Sequence, residues 1–174
     1  DHRVERSEWF DLKPSMPFGK LPVLEFDGNT YSQSVPLLRY LGKLAKLAGN
    51  DDLEALQIDI IADVICDVRT EIVTAFWEPN EEIKQTKLNH VITDILPYNL
   101  RRLEEIAKHN NGYLANNKLS WVDFLFSSAI ENSNIILDVK DCLEGYPTLK
   151  ALQENVMSFP RVKAWIDKRH HTII

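Results

Sequence analysis

Two different spacings of apolar residues divide the chain. Before residue 50, short apolar runs alternate with turn residues: Val23–Phe26 and Thr30-Tyr31 flank Asp27-Gly28, a pattern typical of a β-hairpin. Ser34, followed by Pro36 in the first turn, predicts the N-cap of a helix. This part of the chain therefore mixes strands with helices.

After residue 50 the spacing is helical. Residues 52–77 predict one long helix, and residues 81–108 predict a second with a kink at Pro97. The first of these helices carries one apolar stripe at spacings of three and four: Leu53, Leu56, Ile60, Val64, Val68, Ile72 and Phe76. Three more helices are expected, one at a capping box and two after prolines: Ser120 with Asp123, Pro147, and Pro160.

These patterns predict an α/β domain followed by an all-α domain. We expect the small domain to cover residues 1–46 and the helical domain residues 50–174, with the boundary near Gly49–Asp52.

Composition narrows the functional classes. Apolar residues make up 44% and charged residues 26%, which is typical of a globular protein. A net charge of −6 argues against a nucleic-acid binder, and no apolar run approaches the ~18 residues of a membrane span. The two cysteines, Cys66 and Cys142, suit a reducing compartment, so we expect a cytoplasmic protein.

The negative charge is concentrated in residues 51–78, which hold eight acids and one base, Arg69. Four acids follow one another at every fourth position and share one helix face: Asp59, Asp63, Asp67 and Glu71. Like charges at this spacing repel by ~0.2–0.5 kcal/mol per pair. A partner's lysines, a ligand ammonium group, a cation or solvent would offset this repulsion. Cys66 lies among them and is a poor ligand for a hard cation, so no metal site is assigned.

The segment before the hairpin holds a candidate peptide-binding feature. Pro22 forces Leu21 to be extended. If the Leu21–Pro22 bond is cis, the N–H and C=O of Leu21 face outward and can pair with an extended peptide. The alternative is an ordinary proline at a sheet edge.

Two further features suit carboxylates. Gln33 and Ser34 precede a helix, whose free N–H groups attract anions, although plain capping explains them too. Trp9 and Lys13 lie one helical turn apart and can both donate to a carboxylate. The alternative is a solvated lysine beside a half-buried tryptophan.

Taken together, these segments resemble the glutathione transferase superfamily, and within it the sigma class. The resemblance is carried by Met16–Glu25, Asp27-Gly28, Gln33-Ser34 and, further on, by Leu119–Phe124 and Pro160–Ile166. It implies a thioredoxin-like domain followed by a helical domain. It also implies glutathione as co-substrate, a hydrophobic electrophile as second substrate, and a homodimer.

The resemblance assigns a role to each isolated feature. Trp9, Lys13 and Lys20 would meet the glycine carboxylate of glutathione, and Leu21, before a cis Pro22, would pair with its cysteinyl residue. Gln33 and Ser34 would hold the γ-glutamyl carboxylate, and Asp67 of the other subunit would approach the γ-glutamyl ammonium. The helical domain would line the electrophile site and the dimer interface.

Two departures accompany the resemblance. Cys66 stands where prostaglandin D synthases carry an aspartate of a magnesium-associated cluster. The family begins with a strand and a helix that bear the catalytic tyrosine. We expect that segment upstream of Asp1, so that the thioredoxin-like domain is truncated and residues 1–174 include no catalytic group.

The sequence therefore predicts a glutathione transferase that conjugates the glutathione thiolate to electrophilic or peroxidic molecules, with prostaglandin isomerisation as one option. Without the tyrosine segment this activity would be impaired. The alternative is a non-catalytic glutathione-binding isoform or an S-crystallin-like structural protein.

Overall fold

The protein consists of two compact units in a computed structural model that describes residues 1–170. The first unit is Asp1–Lys46 and the second begins at Leu47. Residues 171–174, the end of the predicted helical domain, lie outside the described residues.

The first unit combines a two-stranded sheet with helices. Its elements in chain order are α1 (Arg6–Leu12), two 3₁₀ turns (Lys13–Ser15 and Pro17–Gly19), β1 (Val23–Phe26), β2 (Asn29–Ser32) and α2 (Ser34–Leu44).

The predicted hairpin is confirmed. β1 and β2 pair antiparallel in a register that sets Val23 opposite Ser32. The turn between them uses Asp27 and Gly28, both at positive φ (50° and 72°), as a tight two-residue hairpin requires. The ring of Phe26 stacks on Tyr31 at 4.6 Å, so the two strands are also joined by side chains.

The first unit buries little of its apolar surface. Gly42 is the single fully buried residue within residues 1–46, and strand β2 is exposed along most of its length. Hydrogen bonds and ring stacking therefore contribute more to the fold of the first unit than a packed core does.

The second unit is entirely helical within the described residues. Its helices are α3 (Asp52–Phe76), α4 (Glu81–His90), α5 (Leu96–His109), α6 (Trp121–Ile136), α7 (Pro147–Ser158) and α8 (Pro160–Ile166). Helix α3 packs against α6, and the largest fully buried side chain, Phe126, lies on α6. Within residues 1–170, no helix combines the length and the hydrophobicity needed to cross a lipid bilayer.

The long helix α3 has the predicted length, but its apolar stripe is only partly buried. Leu53, Leu56 and Ile60 expose 64%, 53% and 52% of their surface, whereas Ile72 is buried. The buried face of α3 consists of Ile58, Ile61, Ala62, Ile65, Ile72 and Ala75. Apolar residues occur on two sides of this helix, so the spacing alone could not decide which side meets the core.

The helix is irregular just before Pro97, where the sequence predicts a kink. Residues Val91–Ile95 form a π-helical segment between α4 and α5, in which the N–H of Leu96 bonds the carbonyl of Val91 five residues earlier. Pro97 follows in the first turn of α5, where a missing N–H is tolerated.

The capping box at α6 is confirmed. Asp123 is fully buried and accepts from the N–H groups of Ser120 (2.7 Å) and Leu114 (3.0 Å). Burial raises the pKa of Asp123, while these hydrogen bonds act against the shift. One carboxylate thus fixes both the start of α6 and the loop before it.

Candidate functional site

Trp9 and Lys13 lie on adjacent turns at the end of α1. The N–H of Lys13 bonds the carbonyl of Trp9, so the helical spacing predicted for the pair is retained. Trp9 is half-buried and Lys13 is exposed. A fixed indole therefore stands beside a cation that is accessible to a ligand.

Gly19 brings Lys13 close to the next part of the chain. Its φ of +58° is a conformation that side chains rarely adopt. A Cβ at this position would lie 3.5 Å from both Cγ and Cε of Lys13, so the lysine stem runs alongside Gly19. Lys20 and Leu21 follow directly, and Lys20 is exposed as well.

The Leu21–Pro22 peptide bond is cis, as the resemblance implies. Leu21 is exposed, and its N–H and C=O make no hydrogen bond with any residue in 1–170. On either side the main chain is engaged, because Lys20 donates to Pro17 and Val23 pairs with Ser32. A free donor and a free acceptor therefore lie together just before β1.

The N-cap of helix α2 lies one residue earlier in the chain than the sequence predicts. Gln33, not Ser34, is the N-cap, and its positive φ of 74° turns the chain from β2 into the helix. Among residues 1–170, no side chain accepts a capping hydrogen bond from the first N–H groups of α2. Sequence rules favour serine over glutamine at a cap, which is why the assignment was one residue off.

The hairpin register relates these groups to one another. Because Val23 pairs with Ser32, Leu21-Pro22 and Gln33-Ser34 enter and leave the hairpin at the same end. The first unit thus presents there a free main-chain pair, an uncapped helix start and, alongside Gly19, a lysine. Such a set can bind an extended peptide that carries carboxylates.

Asp67 lies on α3 in the second unit. It is exposed, as are Asp63 and Glu71 on the same face. It lines an open groove of about 410 Å³ whose walls are Asp67, Val68, Thr70, Glu71, Ile95 and Asn99. No group of three or more metal-ligating side chains occurs in the part of the chain that the structure describes.

Cys66 is turned partly into the protein. Burial raises the pKa of its thiol, and the neighbouring Arg69 opposes that shift. The side chain is therefore a poor thiolate donor at neutral pH.

An apolar cavity that sequence reasoning missed lies between α3 and α6. It has a volume of about 170 Å³. Its apolar lining includes Val73, Phe76, Trp77 and Ile136, and its polar lining includes Asn132 and Arg69. Only the adjacent aromatics Phe76-Trp77 at the end of a helix could have signalled it.

The tyrosines of the first unit are engaged in packing. Tyr31 and Tyr40 both stack on the ring of Phe26, at 4.6 and 5.6 Å. Neither is part of the Leu21 and Gln33 segments.

A family comparison matches most of the second unit. The family model described as "Glutathione S-transferase, C-terminal domain" matches residues 66–169, more than half of the chain.

Individual relatives match nearly the whole chain. Glutathione S-transferase S1 of Drosophila melanogaster is 42% identical over 169 residues, which cover 97% of this chain and 68% of the relative. Hematopoietic prostaglandin D synthase of Rattus norvegicus is 35% identical over 172 residues, covering 99% and 84%. Among solved structures, prostaglandin synthase D of Nilaparvata lugens superposes with a TM-score of 0.94 at 39% identity, covering 99% of this chain and 85% of that one.

Proposed function

Since the chain belongs to the glutathione transferase family, whose enzymes use glutathione as co-substrate, we propose that it is a sigma-class member that conjugates glutathione to hydrophobic electrophiles. The observation that carries the proposal is the free main-chain pair of Leu21 beside the cis Pro22. A tripeptide needs such a pair to be held in an extended form.

Glutathione binds across the first unit in this proposal. The N–H and C=O of Leu21 pair with the cysteinyl residue, as an added strand pairs with a sheet edge. The γ-glutamyl carboxylate lies at the uncapped start of α2, where Ser34 and Gln33 meet it. Lys13 and the indole of Trp9 receive the glycine carboxylate, and Lys20 adds positive charge nearby.

The γ-glutamyl ammonium requires a negative group, and we assign it to Asp67 of a second copy in a homodimer. The first fifty residues carry seven bases and six acids, whereas α3 is strongly acidic. The exposed Leu53, Leu56 and Ile60 on α3 supply apolar surface for such an interface. A facing copy would thus relieve both the charge repulsion and the apolar exposure of α3.

The reaction is nucleophilic attack by sulfur. The bound thiol loses its proton, the thiolate forms a bond to an electrophilic carbon, and the leaving group departs with the electron pair or an adjacent π bond takes it up. The apolar cavity beside Phe76 and Trp77 supports an electrophile site in the helical domain. Relatives named prostaglandin D synthases support a prostaglandin endoperoxide as one substrate.

A second candidate is a protein that binds glutathione without activating it. Its support is that the rings of Tyr31 and Tyr40 both stack on Phe26, and that neither tyrosine belongs to the Leu21 segment. In this case the thiol of bound glutathione would keep its ordinary pKa near ~8.5.

We propose that the protein acts in the cytosol, in detoxification. Two free cysteines and an acidic surface without a membrane-spanning helix in residues 1–170 are compatible with that compartment.

Turnover of a generic aryl halide by the full-length protein tests the proposal. We expect saturable formation of the glutathione conjugate, and ultraviolet titration of bound glutathione should show thiolate below its ordinary pKa. Binding with an unshifted thiol pKa and no turnover would favour the second candidate, and absence of glutathione binding would contradict both.

A further inference from the structure

Asn99 occupies an unusual position for its residue type. It is half-buried in the interior of α5, where asparagine is a poor helix former because its side chain competes for backbone hydrogen bonds. Its Nδ2 donates to the carbonyl of Ile95 at 2.8 Å. A carbonyl oxygen only accepts, so the NH₂ end of the amide faces the helix and Oδ1 faces away from it.

The Oδ1 atom of Asn99 has no donor among residues 1–170. The structure therefore holds the amide in one orientation and leaves its acceptor end open.

A π-helical segment lies directly before Asn99 in the chain. It covers Val91–Ile95, and Asn99 is the fourth residue of α5. Such π turns occur frequently at functional sites. Asn99 lines the same groove that Asp67 lines from α3.

The groove is built from acceptors and apolar walls. Asp67 and Glu71 contribute carboxylates, Val68 and Ile95 contribute apolar surface, and no basic side chain lines it. The hydroxyl of Thr70 donates its hydrogen bond to the carbonyl of Cys66. Its oxygen is therefore available to a ligand only as an acceptor. A groove of this composition suits a primary ammonium.

We propose that Asn99 is a second binding residue for the γ-glutamyl ammonium of glutathione, which it receives through Oδ1 while Asp67 receives it through its carboxylate. This inference rests on the proposed function, which brings the ammonium of a partner copy's glutathione to Asp67. An ammonium carries three N–H donors, and a single carboxylate leaves at least one of them to water or to another acceptor.

Asn99 then contributes to specificity. The Oδ1 atom of Asn99 forms a hydrogen bond with a ligand that carries an ammonium group. It forms no such bond with a ligand that lacks this group. The protein therefore distinguishes glutathione from thiol peptides without the α-amino group by two residues on two helices.

Calorimetric binding with two ligands tests the assignment. The ligands are glutathione and glutaryl-cysteinylglycine, which is glutathione without its α-amino group. Asn99→Ala in the full-length protein should weaken glutathione binding about 10-fold, the value of one hydrogen bond to a charged group. It should leave the affinity for the glutaryl analogue unchanged. Asn155→Ala, an exposed asparagine on α7, is the matched control and should change neither affinity.

The outcomes separate this inference from the function on which it rests. Equal weakening of both ligands, or no weakening of either, in Asn99→Ala overturns the assignment of Asn99. If Asp67→Ala shows the ammonium-dependent loss while Asn99→Ala does not, only this inference fails. If the wild-type protein binds both ligands equally well, the ammonium site fails altogether.

Discussion

Lys13 is a proposed binding residue whose side chain is partly positioned by its neighbours. Its stem lies against Gly19, next to the segment that carries Leu21, and its ammonium is exposed. Such a lysine loses little freedom on meeting a carboxylate, because part of its side chain is already placed.

We expect Lys13→Ala to weaken glutathione binding about 5-fold through loss of a partly exposed charge-assisted hydrogen bond. Titration calorimetry should show no such loss with γ-glutamylcysteine, which lacks the glycine carboxylate. Lys43→Ala, an exposed lysine in the last turn of α2, is the control. A loss of equal size with the shorter ligand would assign Lys13 to another part of the substrate.

The sequence could identify the Leu21-Pro22 and Gln33-Ser34 segments, because proline and helix-start chemistry restrict the backbone locally. It could not identify the positive φ of Gln33, which glutamine rarely adopts, nor the open end of the Asn99 amide. Both depend on how one element is turned relative to the next.

At the scale of elements, helix α7 is held by a side chain from another helix. Tyr146 is its N-cap and provides no capping side-chain hydrogen bond. Instead the Glu104 carboxylate of α5, only 3% exposed, accepts from the N–H groups of Leu149 (3.0 Å) and Thr148 (3.1 Å). Lys108 lies 3.6 Å from the same carboxylate.

This arrangement makes stability depend on pH in a defined direction. Burial opposes ionisation of Glu104, but the hydrogen bonds from Leu149 and Thr148 and the nearby Lys108 together lower its pKa below the ordinary 4.5. A lowered folded-state pKa contributes stability that is present above the unfolded value and is lost as the pH falls through the folded one.

Glu104→Gln should therefore lower the free energy of unfolding by about 2 kcal/mol at pH 7, within the range for hydrogen bonds to a charged group. The difference from wild type should shrink as the pH falls below 4.5 and through the lowered pKa of folded Glu104, because the wild-type carboxyl then becomes neutral as well. Urea unfolding at several pH values measures this. Glu105→Gln, the exposed neighbour, should show neither effect, and a pH-independent difference at position 104 would refute the explanation.

Element boundaries were easier to predict than element faces. Asp51, Asn80 and Ser120 supply standard helix starts, and proline begins α7 and α8, so five helix starts follow from local chemistry. The buried side of α3 and the π segment could not be predicted in this way. Each depends on contacts with helices distant in sequence.

At the scale of the whole molecule, we expect the exposed Leu53, Leu56 and Ile60 of α3 to lie in the proposed dimer interface. Ile60→Lys should weaken self-association at least 10-fold, because it places a charge in an apolar contact. Sedimentation velocity over a dilution series measures the dimer constant. The control is Ile135→Lys on α6, which is similarly exposed at 59%. Equal behaviour of the two variants and the wild type would exclude this face from dimerisation.

The most direct test of the account is amide hydrogen exchange at Leu21 in the full-length protein, followed by NMR with and without glutathione. The N–H of Leu21 makes no hydrogen bond within residues 1–170, while that of the adjacent Lys20 already bonds the carbonyl of Pro17. Saturating glutathione should slow exchange at Leu21 by at least about 10-fold, as a new hydrogen bond does, and change Lys20 far less. An unchanged Leu21 amide in a protein that binds glutathione would contradict the proposed pairing with the cysteinyl residue.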